Sequence, residues 1–173
     1  MKEVTLVLGG CKSGKSRHAL SLAEGRGLRQ LFLATCIPCD DEMKARVARH
    51  KEERKDRWKT IDVPLDLCES IAGHGNEGNV LLVDCLTLWI SNLLLTFDDE
   101  VQVQGQVDRL VEVLNLVSCP VVLVSNEVGA GIVPENRLAR MFRDVAGIAN
   151  QKIAAVADRV VWMVAGLPVG VKG

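Results

Sequence analysis

Val4-Thr5-Leu6-Val7-Leu8-Gly9-Gly10-Cys11-Lys12-Ser13-Gly14-Lys15-Ser16 stands at the start of this 173-residue chain, and its reading decides the fold. Five apolar or β-branched residues bounded by glycine predict a buried strand, and Arg17-His18-Ala19-Leu20-Ser21-Leu22-Ala23 has helical rather than alternating spacing. Between them lies G-x-x-x-x-G-K-S, a phosphate loop in the strand, loop, helix setting that the motif requires. Each residue type has a chemical reason. Glycines at 9, 10 and 14 let the backbone curl so that several N–H groups point at phosphate oxygens with no Cβ in the way. The following helix turns the positive end of its dipole to the same anion. Lys15 is expected to reach the β and γ phosphates, and the Ser16 hydroxyl to ligate Mg²⁺. A nucleoside triphosphate is therefore the expected ligand, with GTP and ATP both open at this point.

Outward from that loop, strands and helices alternate. Gln30–Thr35 reads as a second strand, and Asp40-Asp41-Glu42 supplies capping charge for a helix through about Lys55. Short elements follow, a strand Trp58–Val63 and a helix Leu65–Ala72, with a polar loop over Gly73–Gly78. Val80-Leu81-Leu82-Val83-Asp84 is an apolar strand ending in a carboxylate that can hold Mg²⁺ directly or through water. Thr87–Thr96 is a helix apolar on nearly all sides, expected to be buried beneath the sheet or against another subunit. Glu100–Val117 reads as an amphipathic helix and Pro120–Val124 as a strand. Glu135–Ala157 reads as a helix interrupted or bent near Gly147, and Arg159–Ala165 as the last strand. This alternation predicts one α/β domain over residues 1–173, a mainly parallel twisted sheet with helices on both faces.

Composition excludes several classes. A formal charge of −1 and six aromatic residues, none of them Tyr, argue against nucleic acid as the main partner. Val80–Phe97 is the one run that resembles a membrane span, but Asp84 inside it would cost about 2.5 to 3.5 kcal/mol on insertion, so no span is expected. The six cysteines are at 11, 36, 39, 68, 85 and 119. With no signal-peptide pattern at the start, they are expected to be reduced thiols of a cytoplasmic protein. Cys36-Ile-Pro-Cys39 lacks a second pair or a suitably spaced His, so two ordinary cysteines near a loop are expected rather than a zinc site.

One segment breaks the neutral pattern. Lys44–Lys59 carries eight Lys or Arg against three Asp or Glu, and helical spacing lines up Arg46, His50, Arg54 and Arg57 with Met43 and Val47 as a modest apolar edge. Such a run is ordinarily a solvated helix face. Here a histidine lies within one turn of two arginines, which favour its neutral form and offer partners to a phosphate.

Taken in order, these motifs resemble the adenosylcobinamide kinase/adenosylcobinamide-phosphate guanylyltransferase family of cobalamin biosynthesis, from Val4 to Lys172. The more specific carriers are Asp40-Asp41-Glu42-Met43, His50, Arg54 and Trp58-Lys59-Thr60. The most specific is Asn126-Glu127-Val128-Gly129-Ala130-Gly131-Ile132-Val133-Pro134-Glu135-Asn136-Arg137, continued by Arg143-Asp144, Gly147 and Asn150-Gln151.

The resemblance implies a RecA-like P-loop NTPase fold, a homo-oligomer with a trimer favoured, and two reactions on corrinoid and nucleotide substrates. A nucleotide, usually GTP, phosphorylates the aminopropanol hydroxyl of adenosylcobinamide. A second GTP then guanylylates a histidine, which corresponds to His50, and GMP passes to the phosphorylated substrate. The family's nucleotide contacts correspond to Gly9, Gly10, Cys11, Lys12, Ser13, Gly14, Lys15 and Ser16, to Ala34, Thr35 and Cys36, to Lys51, Glu52, Glu53 and Arg54, and to Asp62 and Asp84. His50 and Lys15 are the implied catalytic pair, and Ser16 and Asp84 the implied Mg²⁺ ligands.

Lys12 stands where Arg is usual, and Asp62 and Asp84 where many members carry Glu, so charge is kept while each carboxylate is one methylene shorter. The Cys36–Cys39 loop is not a family feature. Three alternatives are weighed against this reading: a guanylyltransferase alone, a small-molecule kinase without a covalent intermediate, and a GTP-binding regulator docking a protein through the apolar helix near Trp89.

Overall fold

The computed structural model describes residues 2–38, 40–54 and 57–173; the side chains of Glu42, Arg46, Arg49, His50, Glu53 and Arg54 stand outside the described residues. The elements run β1 (Glu3–Gly9), α1 (Lys15–Glu24), β2 (Arg29–Ala34), α2 (Asp41–Arg54), β3 (Trp58–Asp62), α3 (Leu67–His74), β4 (Asn79–Asp84), α4 (Leu86–Phe97), α5 (Glu100–Leu116), β5 (Pro120–Asn126), α6 (Arg137–Val156), β6 (Arg159–Val164) and β7 (Leu167–Lys172). All strands join one sheet in the order β3-β2-β4-β5-β1-β6-β7. Every pairing is parallel except β6 with β7.

The unbroken apolar runs of the strands follow from cover on both faces. On β5, Val121 and Leu123 join the larger core with α3, α4, α5 and α6, while Val122 and Val124 join the smaller core beneath α1. Small side chains, Ala19 and Ala23, let α1 lie close to that smaller face. Its far end is closed by Trp58, which meets Phe32 edge-on at 6.2 Å and donates through Nε1 to Glu24 at 3.2 Å.

The apolar helix resolves into α4, covered within this chain. Leu86, Trp89, Ile90, Leu93 and Leu94 are buried in the larger core, and Trp89 Nε1 donates to the Leu65 carbonyl at 2.8 Å. Trp89 is therefore not the docking surface that the regulatory alternative needs. The run Val80–Phe97 divides into β4 and α4, and no described helix is long and apolar enough to cross a membrane.

Three expectations are corrected. A seventh strand, β7, follows β6 through Ala165 (φ 50°) and Gly166 (φ 85°), the two positive-φ residues of a tight hairpin turn. The last helix starts at Arg137 rather than Glu135, because the Asn136 side chain caps it by accepting from the Ala139 N–H at 3.0 Å. It also runs unbroken past Gly147: Val145, Ala146, Ala149 and Ile153 are buried, and that burial outweighs the roughly 1 kcal/mol propensity cost of one glycine.

Candidate active site

Parallel register brings the sequence's separate candidates to one level. Ala34 at the end of β2 is level with Asp62 of β3 and Asp84 of β4, Asp84 is level with Val124 of β5, and Gly9 of β1 is level with Asn126. These are the C-terminal ends of the strands, where open α/β sheets bind ligands. A cleft of about 530 Å³ opens there, a volume suited to a small-molecule ligand.

The phosphate loop forms one wall through Cys11, Lys12, Ser13, Gly14, Lys15 and Ser16. Its backbone has Lys12 at φ 51° and Gly14 at φ 92°, the curled geometry that turns N–H groups inward. Gly9 and Gly14 are required by what lies behind them. A Cβ on Gly9 would fall 2.7 Å from the Met163 carbonyl oxygen, and one on Gly14 would fall 3.3 Å from Gly166 Cα. Gly166 N–H donates to Ser13 O at 3.1 Å, so the β6–β7 turn braces the loop.

Lys15 is only 7% exposed, and its ammonium donates to the Gly10 carbonyl at 2.5 Å. Burial pushes its pKa down, and the Asp84 carboxylate draws it partly back. A cation desolvated in this way interacts more strongly with an incoming anion than one in water.

Asp84 lines the same cleft, and the turn after it is pinned from below. The Asp84–Cys85 peptide is cis, and the Thr35 hydroxyl donates to Cys85 O at 2.7 Å while accepting from Cys85 N–H at 2.8 Å. Burial first, then the Asp84 carboxylate, raises the Cys85 thiol pKa, so Cys85 is a neutral packing group. Ser16 and Asp84 share the cleft and offer a hydroxyl and a carboxylate. That hard-oxygen donor set fits Mg²⁺, which takes one or two protein ligands and completes its shell with phosphate and water.

The opposite wall comes from Phe32 and Ala34 of β2, Cys36, and Met43, Val47 and Lys51 of α2, with Asp62 beyond. Met43, Val47 and Lys51 recur every four residues and mark one face of the helix. Lys51 and Asp62 pair at 3.8 Å between exposed side chains.

Of the candidates, then, Cys11 to Ser16, Ala34, Cys36, Lys51, Asp62 and Asp84 line one cleft. Gly9 and Gly10 shape the loop without lining it. Thr35 is fully buried beneath the cleft, and Glu52 is exposed away from its walls. The side chains of His50, Glu53 and Arg54, like Cys39, fall outside the described residues.

Several contributors were not singled out by the sequence, among them Phe32, Cys85, Leu88 and Val124 of the cleft lining. Asn126, quoted there only within a motif, lines the cleft, and its amide donates to Thr87 Oγ1 at 3.0 Å. The signal for it was the one used for Asp84, a polar residue closing an apolar strand. Gly166, which braces the loop from behind, is another, and the chain carries no clear signal for it, because the run that follows has no core pattern.

Comparison with known proteins places the chain. The family model for cobinamide kinase/cobinamide phosphate guanyltransferase matches residues 5–171. The bifunctional adenosylcobalamin biosynthesis protein CobP of Pseudomonas aeruginosa is 44% identical over 168 residues, covering 97% of this chain and 96% of that protein. Its counterpart CobU from Escherichia coli is 42% identical over 179 residues, covering 96% and 98%. Among solved structures, the flagellar accessory protein FlaH from Methanocaldococcus jannaschii aligns over 98% of this chain and 78% of its own with a TM-score of 0.55 at 14% identity. The P4 protein from bacteriophage phi6, in complex with ADP, aligns over 96% and 52% with a TM-score of 0.50 at 18% identity. At such identities the structural likeness speaks for the fold alone, which is the expected α/β P-loop NTPase. With the family model spanning nearly the whole sequence and full-length relatives above 40% identity, the chain belongs to the cobinamide kinase/cobinamide phosphate guanyltransferase family.

Proposed function

We propose that this chain phosphorylates the aminopropanol hydroxyl of adenosylcobinamide with a nucleoside triphosphate, and then converts the phosphate ester to adenosylcobinamide-GDP through a guanylyl-His50 intermediate. The observation that carries the reading is a single cleft with the phosphate loop on one wall and α2 on the other. Position 50 of α2 falls three residues after Val47 and one before Lys51, both of which line that cleft.

In the first reaction the substrate hydroxyl attacks the γ-phosphorus, its proton is released, and the nucleoside diphosphate leaves. Backbone N–H groups of residues 11 to 16 hold the phosphates in line, and the buried Lys15 ammonium neutralises charge on the β and γ oxygens as the bond to the leaving group breaks. In the second, a neutral imidazole nitrogen of His50 attacks the α-phosphorus of GTP and pyrophosphate leaves. A phosphate oxygen of the acceptor then displaces histidine from phosphorus, forming the new pyrophosphate bond. Lys51 on the cleft wall supplies positive charge for both transfers of GMP. Mg²⁺, held by Ser16 and Asp84, would supply further neutralisation of the triphosphate.

Covalent transfer explains why one histidine and one loop serve two bulky substrates in turn. Incubation with α-labelled GTP is expected to leave acid-labile, alkali-stable label on the protein, and His50→Ala to abolish it. Label of equal intensity on His50→Ala would contradict the covalent step. A homotrimer belongs to the same reading, and the exposed apolar row Leu167, Val169 and Val171 on edge strand β7 supports self-association. Light scattering that returns the mass of one chain would remove it.

A further inference from the structure

A second, smaller cavity of about 300 Å³ lies against the phosphate loop. It shares Gly14 with the main cleft and is otherwise lined by Arg17, His18 and Ser21 of α1 and by Met163 and Gly166 of the β6–β7 hairpin. No step of the proposed reactions uses these five side chains and turn residues.

A triphosphate on the loop must send its γ end and its nucleoside in different directions. Lys15, Asp84 and Asn126, the groups suited to the γ end, all line the larger cleft. In a loop of this pattern the lysine meets the β and γ phosphates while backbone amides cradle α and β. The α-phosphate therefore lies toward Ser16 and Arg17, at the first turn of α1. Ribose and base continue from there along Arg17, His18 and Ser21, which are the walls of the smaller cavity.

We infer that the groove between α1 and the β6–β7 turn binds the purine nucleoside of the triphosphate that donates its γ-phosphate. The inference rests on the kinase half of the function proposed above. The β2/α2 side of the main cleft is then left for the corrinoid and for the guanine of the GMP donor, so the two nucleotides use one phosphate loop with their bases on opposite sides.

The groove has suitable chemistry. Its volume is at the lower end for small-molecule sites, as fits half of a nucleotide. Burial, then the Arg159 charge, pushes the His18 pKa down, and a neutral imidazole offers one donor, one acceptor and a flat face to a base. The Arg17 guanidinium stacks on planar groups. Met163 supplies apolar surface, and Gly166, which has no side chain to fill the groove, is tied to the loop through Ser13 O at 3.1 Å.

Photolabelling of the wild-type chain with 8-azido-ATP, followed by peptide mapping, reads base position directly. Label in His18–Arg26 or Val160–Lys172 is the expected result. Label confined to the opposite wall, in Leu31–Ala34 or Met43–Lys51, would overturn the inference. A second test uses Ser21→Trp, which fills the groove from an exposed helix position. It is expected to raise the donor KM for cobinamide phosphorylation about tenfold while GMP labelling by GTP stays within about twofold. An unchanged donor KM would overturn the inference. The two levels fail differently: wild type that phosphorylates no cobinamide refutes the kinase reading, whereas turnover with label on the far wall refutes only the placement of the base.

Discussion

The two walls of the main cleft are built on opposite plans. On the phosphate-loop side the ligand-facing groups are largely backbone, and the core holds them from behind: Gly9 against Met163, Gly14 against Gly166, Ser13 O bonded to the hairpin turn. On the α2 side they are side chains. Among the described residues of α2 none is fully buried, Met43 and Val47 are half-buried, and Lys51 reaches Asp62 across an exposed 3.8 Å pair. The difference teaches where recognition is stored. Changes behind the loop should alter folding and both reactions together, whereas changes on α2 should alter GMP transfer and leave stability alone.

Substitutions can break that division, and the largest expected effect is at Lys15. Lys15→Ala removes the buried cation from the β/γ end, and kcat for phosphorylation should fall about 10²- to 10³-fold in steady-state assays. A fall of less than a few-fold would mean that the backbone alone does the work. Gly9→Ala is next. Its Cβ would overlap the Met163 carbonyl and Ser13 Oγ, so the urea midpoint should drop by the equivalent of about 1 to 3 kcal/mol, with both activities reduced in the folded fraction.

A smaller effect is expected at Glu3, which ties the start of β1 to Arg26 at 2.5 Å and to Arg159 of β6 at 3.8 Å. Burial pushes its carboxyl up, but the Arg26 hydrogen bond and charge, with Thr5 and Arg159, outweigh that and hold it below its ordinary value of 4.5. A lowered carboxylate stabilises the fold above the unfolded value and loses that contribution as pH falls through the folded one. Denaturation midpoints of wild type should therefore drop more steeply below pH 4.5 than those of Glu3→Gln. Parallel acid limbs would contradict the tie.

The smallest effect on stability belongs to the other wall. Lys51→Ala should change the melting free energy by no more than about 0.5 kcal/mol, because an exposed ion pair is worth little. It should nevertheless slow GMP labelling from GTP. A large loss of stability with unchanged labelling would reverse the comparison.

Much of this was legible in the sequence because buried parallel strands announce themselves. Leu31-Phe32-Leu33, Val80 to Val83 and Val121 to Val124 are continuous apolar runs, and the positions that close such runs, Asp84 and Asn126, fall on one rim. Illegible elements were those whose order comes from backbone pairing or from a neighbour. Every residue of β7 is exposed, so Leu167-Pro168-Val169-Gly170 carries no core pattern; pairing with β6 orders it, and Lys172 Nζ donates to the Ala154 and Ala155 carbonyls of α6. Thr35 is a ligand contact only by what the family resemblance implies. Only the fold reveals that its hydroxyl is spent on Cys85. Phe32, Met43, Val47 and Leu88 look like ordinary core residues in one dimension, yet they line the cleft because the strands end there.

Intact-mass measurement after incubation with GTP, with the adduct located by peptide, tests the central claim most directly. The account predicts one added GMP on the peptide that carries His50, lost again when cobinamide phosphate is supplied. Turnover to the GDP-linked corrinoid with no GMP adduct, or with an adduct elsewhere that His50→Ala does not remove, would contradict it.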